Sequence, residues 1–489
     1  MASRTDSRES SVTSFILFST LAASLASFNV GWNTGVTNIP ERVIRECPPQ
    51  GGEGLPNGLC VTDDLTWGVA VALFAIGGLV GGLTAGMAAN RFGRRLVLIF
   101  NNVFFTLGGL VLSVSPNVAL FGLGRILTGI GCGVSSVVVS TFMGEIASNR
   151  NRGALGSMLQ LTLNIGILVT QCLGLGLDFA PGWRILLALT ALPALVQIGL
   201  LWGCVETPRW LASKGRYEEA RRSLAKLRAG YDIEAEYDEI VRAQRPASAV
   251  SDEPTGKQAE AEGGVTTSFE TAAAGANVTY SVADLFSGRA GPVLRRHLYI
   301  SIFLHMAQQL TGINGVIFYS TSTFTSSFGD AAKYVTIGAV GGLGVFVTTA
   351  SLLLVDRLGR KKLLFTSAAG MALSSTLLVI GTATKAGPLV LTAVMLFITF
   401  FGIGLGPIPW LIVSELFPTN AVGAASSVAI GANYLCNFII AMVFPKVAEA
   451  LGNYGFVPYA IIGLVCAVII FMFVPETKGK SLEEITRGR

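Results

Sequence analysis

Apolar residues along this chain gather into stretches long enough to cross a hydrocarbon core of ~30 Å, which takes ~20 residues as a helix. Six lie near Ser14–Ile39, Leu65–Ala89, Leu96–Val114, Leu120–Met143, Gly153–Leu177 and Ile185–Gly203. Six more lie near Leu298–Phe328, Val335–Val355, Leu363–Ala383, Pro388–Val413, Val422–Phe444 and Val457–Phe473. The pattern predicts an all-α membrane protein with twelve transmembrane helices in two six-helix bundles, at 14–205 and 298–473. Residues 206–297 form a polar connection with helical character, and 1–13 and 474–489 are short polar ends.

The turns between spans are written twice. Asn90-Arg91-Phe92-Gly93-Arg94-Arg95 returns as Asp356-Arg357-Leu358-Gly359-Arg360-Lys361, Gly144-Glu145 as Ser414-Glu415, and Glu206-Thr207 as Glu476-Thr477. The offsets are 266, 270 and 270 residues. A duplicated half of six spans is how transporters place a substrate site at the midplane, between two bodies that rock past each other.

Composition agrees with a membrane chain: 51% of residues are hydrophobic and only 13% charged. Arginine and lysine concentrate in the 2–3 and 8–9 turns, the 3–4 turn has none, and the 1–2 loop is net acidic. By the positive-inside rule both termini and the middle connection are cytosolic. The formal charge of +5 therefore reports topology and gives no hint of nucleic acid. The head, with Arg4, Asp6, Arg8 and Glu9, is charge-balanced, and its apolar run has span length, unlike a cleavable signal.

In the connection, residues 217–227 read as a short amphipathic helix with Glu218 and Arg222 at the supportive i,i+4 spacing. Residues 246–276 have the composition of a disordered linker. Ser281 and Asp284 resemble a capping box that restarts a helix. Asn277-Val-Thr279 matches a glycosylation acceptor on the wrong side of the membrane. Of seven cysteines, Cys47 and Cys60 share the 1–2 loop on the side that permits disulfides, and a bridge between them is expected.

Within the spans the polar residues are amides: Asn33, Asn38, Gln160, Asn164, Gln171, Gln308, Gln309, Asn314, Asn433 and Asn437. Amides donate and accept at once, which suits a ligand carrying many hydroxyls. Aromatics such as Trp32, Trp67, Phe318, Tyr319, Trp410 and Tyr434 could pack on the apolar face of a sugar ring. Arg125 is the one charge at depth, and an ion there costs ~2.5–3.5 kcal/mol on insertion scales. In Gln308-Gln309-Leu-Thr311-Gly312-Ile-Asn314 the Thr-Gly pair allows the helix to bend or unwind. No nucleophile–base pair or metal-ligand cluster is legible, so no enzyme activity, metal or cofactor is expected.

Six motifs in order carry a resemblance: Asn90–Arg95, Gly124-Arg125, Glu206–Arg209, Gln308–Asn314, Gly406–Trp410 and Pro475–Gly479. Together they resemble the sugar porters of the major facilitator superfamily, and most of all the facilitative glucose transporters. The resemblance implies two pseudo-symmetric bundles, a cytosolic helical domain, and alternating access to one monosaccharide within the lipid bilayer. It assigns sugar hydrogen bonds to Gln160, Gln308, Gln309, Asn314, Trp410 and Asn433, with Asn437 a weaker candidate. Three departures bear on the pocket or gate. Span 8 has no Asn, and Gly402 and Val422 stand where the family often has Glu and Arg. Ser140-Thr-Phe142 also replaces the usual Pro-x-Tyr at the start of span 5.

The repeated motifs are expected to form an inner gate. Arg91, Arg94 and Arg95, with Arg152 and Arg209 nearby, would pair with Glu145 and Glu206; Arg357 and Arg360 would pair with Glu415 and Glu476. Exposed pairs are worth only ~0–1 kcal/mol each, but a network made in one state and broken in another can bias a balanced equilibrium. Proton-coupled members typically carry an Asp on span 1, where this chain has Asn33, at the depth of Arg125. An amide cannot cycle a proton near pH 7. Facilitated diffusion of a hexose, with glucose the leading candidate, is thus favoured over proton symport, and both over a non-transporting sensor. The plasma membrane is the expected address, with a vacuolar or other internal membrane the alternative; the preferred hexose and the oligomeric state are not legible.

Overall fold

A computed structural model describes residues 13–47, 56–148, 151–242 and 280–478. The linker expected at 246–276 and the Asn277 sequon lie outside the described residues. Ten described helices are long and apolar enough to span a membrane. Span 7 and the 17-residue span 12, Val457–Phe473, complete the twelve. Span 7 fails as one helix because it is broken into Pro292–Leu310 and Ile313–Phe328. The break sits where Gly312 takes a φ of 92°, left-handed backbone open to a residue with no Cβ.

Several helices overrun the apolar stretches that announced them, because a helix stops at its cap and not at the edge of the lipid. Span 2 runs Asp64–Phe92 from an Asp63 cap that accepts the Thr66 N–H at 2.9 Å. Span 4 runs Val118–Ile146 from an Asn117 cap on the Leu120 N–H. Span 11 continues to Leu451, well beyond Phe444. Span 6 starts at Gly182 and is interrupted between Ala188 and Ala191.

Span 10 is broken between Ile403 and Ile408. Backbone freed at mid-membrane needs partners from neighbouring side chains. Gln308 Nε2 donates to the Leu405 and Gly406 carbonyls at 2.8 Å each, and the Leu405 N–H donates to Ser367 Oγ. The two breaks, on spans 7 and 10, are therefore tied to each other.

At the basic end of the bundle the repeat is also a repeat in three dimensions. Gly93 and Gly359 take φ values of 96° and 90° between spans 2–3 and 8–9. A Cβ on them would stand 2.3 Å from Glu206 Oε2 and 2.6 Å from Glu476 Oε2. The halves meet there through small residues: the Gly86 N–H donates to Ser427 Oγ at 3.1 Å, and a Cβ on Gly86 would lie 2.6 Å from the Gly423 carbonyl oxygen. At the opposite end Asn38 donates to the Ile317 carbonyl, and Lys333 pairs with Asp178 across the two halves.

Beyond span 6 come the short helices Pro208–Ser213, Tyr217–Leu227 and Glu234–Arg242. Tyr217–Leu227 buries Ala220, Ser223, Leu224 and Leu227, the amphipathic face expected. Its predicted Glu218–Arg222 pair does not form; Glu219 is held by Arg216 and Arg221 by Glu234, each at 2.5 Å. Arg216 is the N-cap residue and reaches Glu219 at i,i+3, while Glu234 comes from the next helix, which spacing within one helix does not reveal. Ser281 and Asp284 do form a reciprocal capping box on Val282–Ser287.

Candidate functional site

Between the two halves, near the middle of the bundle, lies a small cavity of about 50 Å³. At ~10–15 Å³ per water it has room for a few waters. All seven residues expected at a sugar site line it: Gln160, Gln308, Gln309, Asn314, Trp410, Asn433 and Asn437. They come from spans 5, 7, 10 and 11, and six of the seven spring from the second half.

The amides occupy one another. Asn433 Nδ2 donates to Gln308 Oε1 at 2.7 Å and to the His305 carbonyl at 2.9 Å. Gln309 Nε2 donates to Asn433 Oδ1 at 3.0 Å, and Asn314 Nδ2 to Gln309 Oε1 at 2.6 Å. The Trp410 indole N–H and Asn437 Oδ1 are buried without a hydrogen-bond partner. Buried polar atoms are ordinarily satisfied, so both are open to a hydroxyl-bearing guest. Apolar walls come from Val30, Phe74, Leu163, Ile313, Ile317 and Phe401.

Gln160 leads to a feature that motif reading did not single out. Its Nε2 donates to Asn164 Oδ1 at 3.2 Å, and Asn164 Nδ2 donates to Thr348 Oγ1 at 2.7 Å. This bridge joins span 5 to span 8. The spacing of Gln160 and Asn164 on one helix face was a legible signal; Thr348 was not. Beside it a Cβ on Gly402 would stand 2.9 Å from a Val347 methyl, so a glutamate there would displace Val347.

Arg125 is wholly buried. Its Nη1 donates to the Asn33 backbone carbonyl at 2.8 Å and its Nη2 to the Val71 carbonyl at 3.3 Å, with the Phe74 ring 4.6 Å away. Asn33 and Arg125 do share a depth, but they meet through backbone: the Asn33 amide turns to the Asn29 carbonyl at 2.9 Å.

The charged network needs correction. Arg94 Nη2 pairs with Glu145 at 2.9 Å and Thr207 Oγ1 donates to the other Glu145 oxygen at 2.6 Å. Arg360 pairs with Glu415 at 2.8 Å, and Thr477 donates to it at 2.6 Å. Glu206 and Glu476, expected to take guanidiniums, instead accept backbone N–H groups. Glu206 takes those of Arg94, Arg95 and Thr207, and Glu476 those of Arg360, Lys361 and Lys478. Each caps the start of a span, where free N–H groups and the helix dipole favour a carboxylate. Burial holds the Glu206 carboxyl above its usual range, against those donors and the Arg94 charge.

Arg95 is anchored on the Leu201 and Trp202 carbonyls. Arg91 lies over the Phe92 ring and Arg357 is exposed. Arg209 sits in the first turn of Pro208–Ser213, and the side chain of Arg152 lies outside the described residues. Each acid–arginine pair lies within one half, so the pairs shape the ends of each bundle, while the halves meet at this end through Gly86, Gly423 and Ser427.

Cys47 and Cys60 are joined in a disulfide. Around it Leu59 and Val61 N–H groups bond the Ile44 and Arg45 carbonyls, and the loop docks on Trp183 and Arg184 through Asn57 and Pro56. Native protein should leave both thiols unreactive to an impermeant maleimide until a reductant is added. Labelling of both without reduction would rule the bridge out.

Twelve spans in two related halves around a buried, amide-lined cavity define a membrane carrier of the major facilitator fold. Within that class the chain matches the family model described as "Sugar (and other) transporter" over residues 19–488. It belongs to that family. It is 34% identical over 492 residues to facilitated glucose transporter member 3 of Oryctolagus cuniculus, covering 98% of this chain and 93% of the relative. To facilitated glucose transporter member 4 of Mus musculus it is 35% identical over 495 residues, covering 97% and 91%. Among solved structures, the proton:xylose symporter XylE bound to 6-bromo-6-deoxy-D-glucose superposes with a TM-score of 0.78 at 28% identity, covering 98% of this chain and 99% of that one.

Proposed function

We propose that this chain carries a hexose, glucose or a close relative, passively across the plasma membrane by alternating access, with its basic end and both termini in the cytosol. The supporting observation is the cavity. Its donors and acceptors are neutral amides and an indole drawn from both halves, and Trp410 and Asn437 each hold one polar atom in reserve. Neutral two-way hydrogen-bonding groups suit hydroxyls and give an anion or a cation no counter-charge.

Symport is the second reading, because a structural neighbour is a proton:xylose symporter. Against it, Asn33 is an amide, and the Arg125 guanidinium is held through Nη1 and Nη2 by backbone carbonyls and lies beside an aromatic face, with no carboxylate among its described partners. The purified chain in proteoliposomes should equilibrate D-glucose without accumulating it, and a protonophore should leave the endpoint unchanged. Concentrative uptake driven by an imposed proton gradient would overturn the passive reading. Absence of any hexose flux would overturn the carrier reading.

A further inference from the structure

A second cavity, larger than the central one, lies elsewhere in the molecule. A groove of about 620 Å³ lies at the basic end, between the start of span 3, the end of span 6 and the helix Tyr217–Leu227. One part of its lining is apolar and faces outward: Leu96 is 41% and Trp202 68% exposed, with Phe92 and Ile99 beside them. The other part is ionic. Arg95, Arg216, Arg222 and Lys226 stand there against Glu206 and Glu219.

The two carboxylates are already engaged. Glu206 is turned into the backbone N–H groups of Arg94, Arg95 and Thr207. Glu219 takes a two-pronged bond from Arg216 at 2.8 and 2.5 Å. Arg222 and Lys226 are exposed, one turn apart on the same helix, and make no ion pair or side-chain hydrogen bond among the described residues. Arg95 is pinned by the Leu201 and Trp202 carbonyls and lies 5.9 Å from the Trp202 ring. The groove thus has surplus positive charge on its soluble wall and lipid-exposed apolar surface on its span wall.

We propose that this groove binds an anionic glycerophospholipid of the cytosolic leaflet, with the phosphate and headgroup on Arg95, Arg222 and Lys226 and acyl carbon along Leu96 and Trp202. Amphipathic indole and long basic side chains are the groups that settle at the headgroup level, and cytosolic leaflets carry the anionic lipids that basic segments attract. The leaflet assignment rests on the orientation proposed above; the binding itself does not. A bound lipid would bridge the soluble helix to spans 3 and 6, alongside the bond from Ser223 Oγ to the Glu206 carbonyl at 2.6 Å.

The test is native mass spectrometry of the full-length protein in detergent, titrated with phosphatidylserine or with phosphatidylcholine of the same acyl chains. Phosphatidylserine adducts should exceed phosphatidylcholine adducts at least fivefold, and Arg222→Gln/Lys226→Gln should bring the two to parity. Arg242→Gln, a charge change outside the groove, should leave the preference intact. Parity in the unmodified protein, or an unchanged preference in the double variant, would overturn the proposal. So would displacement by glycerophosphoserine at the same concentration, since the apolar wall would then contribute nothing. Adduct counting needs no sugar flux, so failure here leaves the carrier reading standing, and failure of that reading leaves the lipid site standing.

Discussion

Replacing Gln308 by alanine is expected to cut sugar uptake at least tenfold and to lower the thermal unfolding midpoint as well. The side chain does two jobs. Its amide N–H groups hold the Leu405 and Gly406 carbonyls at the break in span 10, and its oxygen receives Asn433 at 2.7 Å. Alanine would orphan two buried carbonyls, at ~1–3 kcal/mol for each group left unpaired, and would take one of the two acceptors of the Asn433 amide. Since ~1.4 kcal/mol is tenfold in an equilibrium constant, losing one such contact with the sugar suffices for the effect on uptake. Asn314→Ala separates the jobs, because among the described residues Asn314 donates to Gln309 Oε1 and braces no backbone. It should lose uptake several-fold with a smaller fall in the unfolding midpoint than Gln308→Ala, since one buried acceptor is left unpaired in place of two carbonyls. Normal uptake in both variants, at equal surface expression, would remove these residues from the site.

The second large effect is structural. Arg94 and Glu145 have side chains only 4% and 5% exposed. Removing one member of a buried pair leaves the other charged and unsolvated, at ~3–5 kcal/mol. Glu145→Ala also deprives the Thr207 hydroxyl of its acceptor. A drop of several degrees in unfolding midpoint is expected, with a smaller one for Glu415→Ala, whose pair with Arg360 is more open at 12% and 8%. Thr207→Val should cost less than either, having lost a hydrogen bond and no charge. An unmoved midpoint in Glu145→Ala would show that water or another group compensates the arginine.

The comparison of sequence with structure divides along a physical line. Side chains whose chemistry is rare in a membrane announced themselves: every amide assigned to the pocket reaches it, because an unpaired amide in lipid is costly and so points inward. The twelve-span count and the break near Gly312 follow from local pattern in the same way, whereas the break in span 10 was not foreseen. What stayed hidden were partners supplied by backbone. Glu206 and Glu476 read as counter-ions because arginines stand nearby, yet they serve the N–H groups of a helix start. A sequence shows the sign of a charge and not which donors a turn brings within reach. The Asn164–Thr348 bridge was hidden for a similar reason, since neither residue predicts that spans 5 and 8 abut at that height.

The way the pocket amides satisfy one another bears on kinetics. A passive carrier working in net flux must bring its unloaded form back across the membrane once for every sugar it delivers. With Gln308, Gln309, Asn314 and Asn433 bonded in a chain around a cavity that holds only a few waters, the vacant carrier can shut at both ends with much of its buried hydrogen-bonding capacity met. The guest then exchanges bonds for bonds. A return leg that needs no passenger is the difference between a net transporter and an obligate exchanger, and net efflux into sugar-free medium is expected to match exchange in rate.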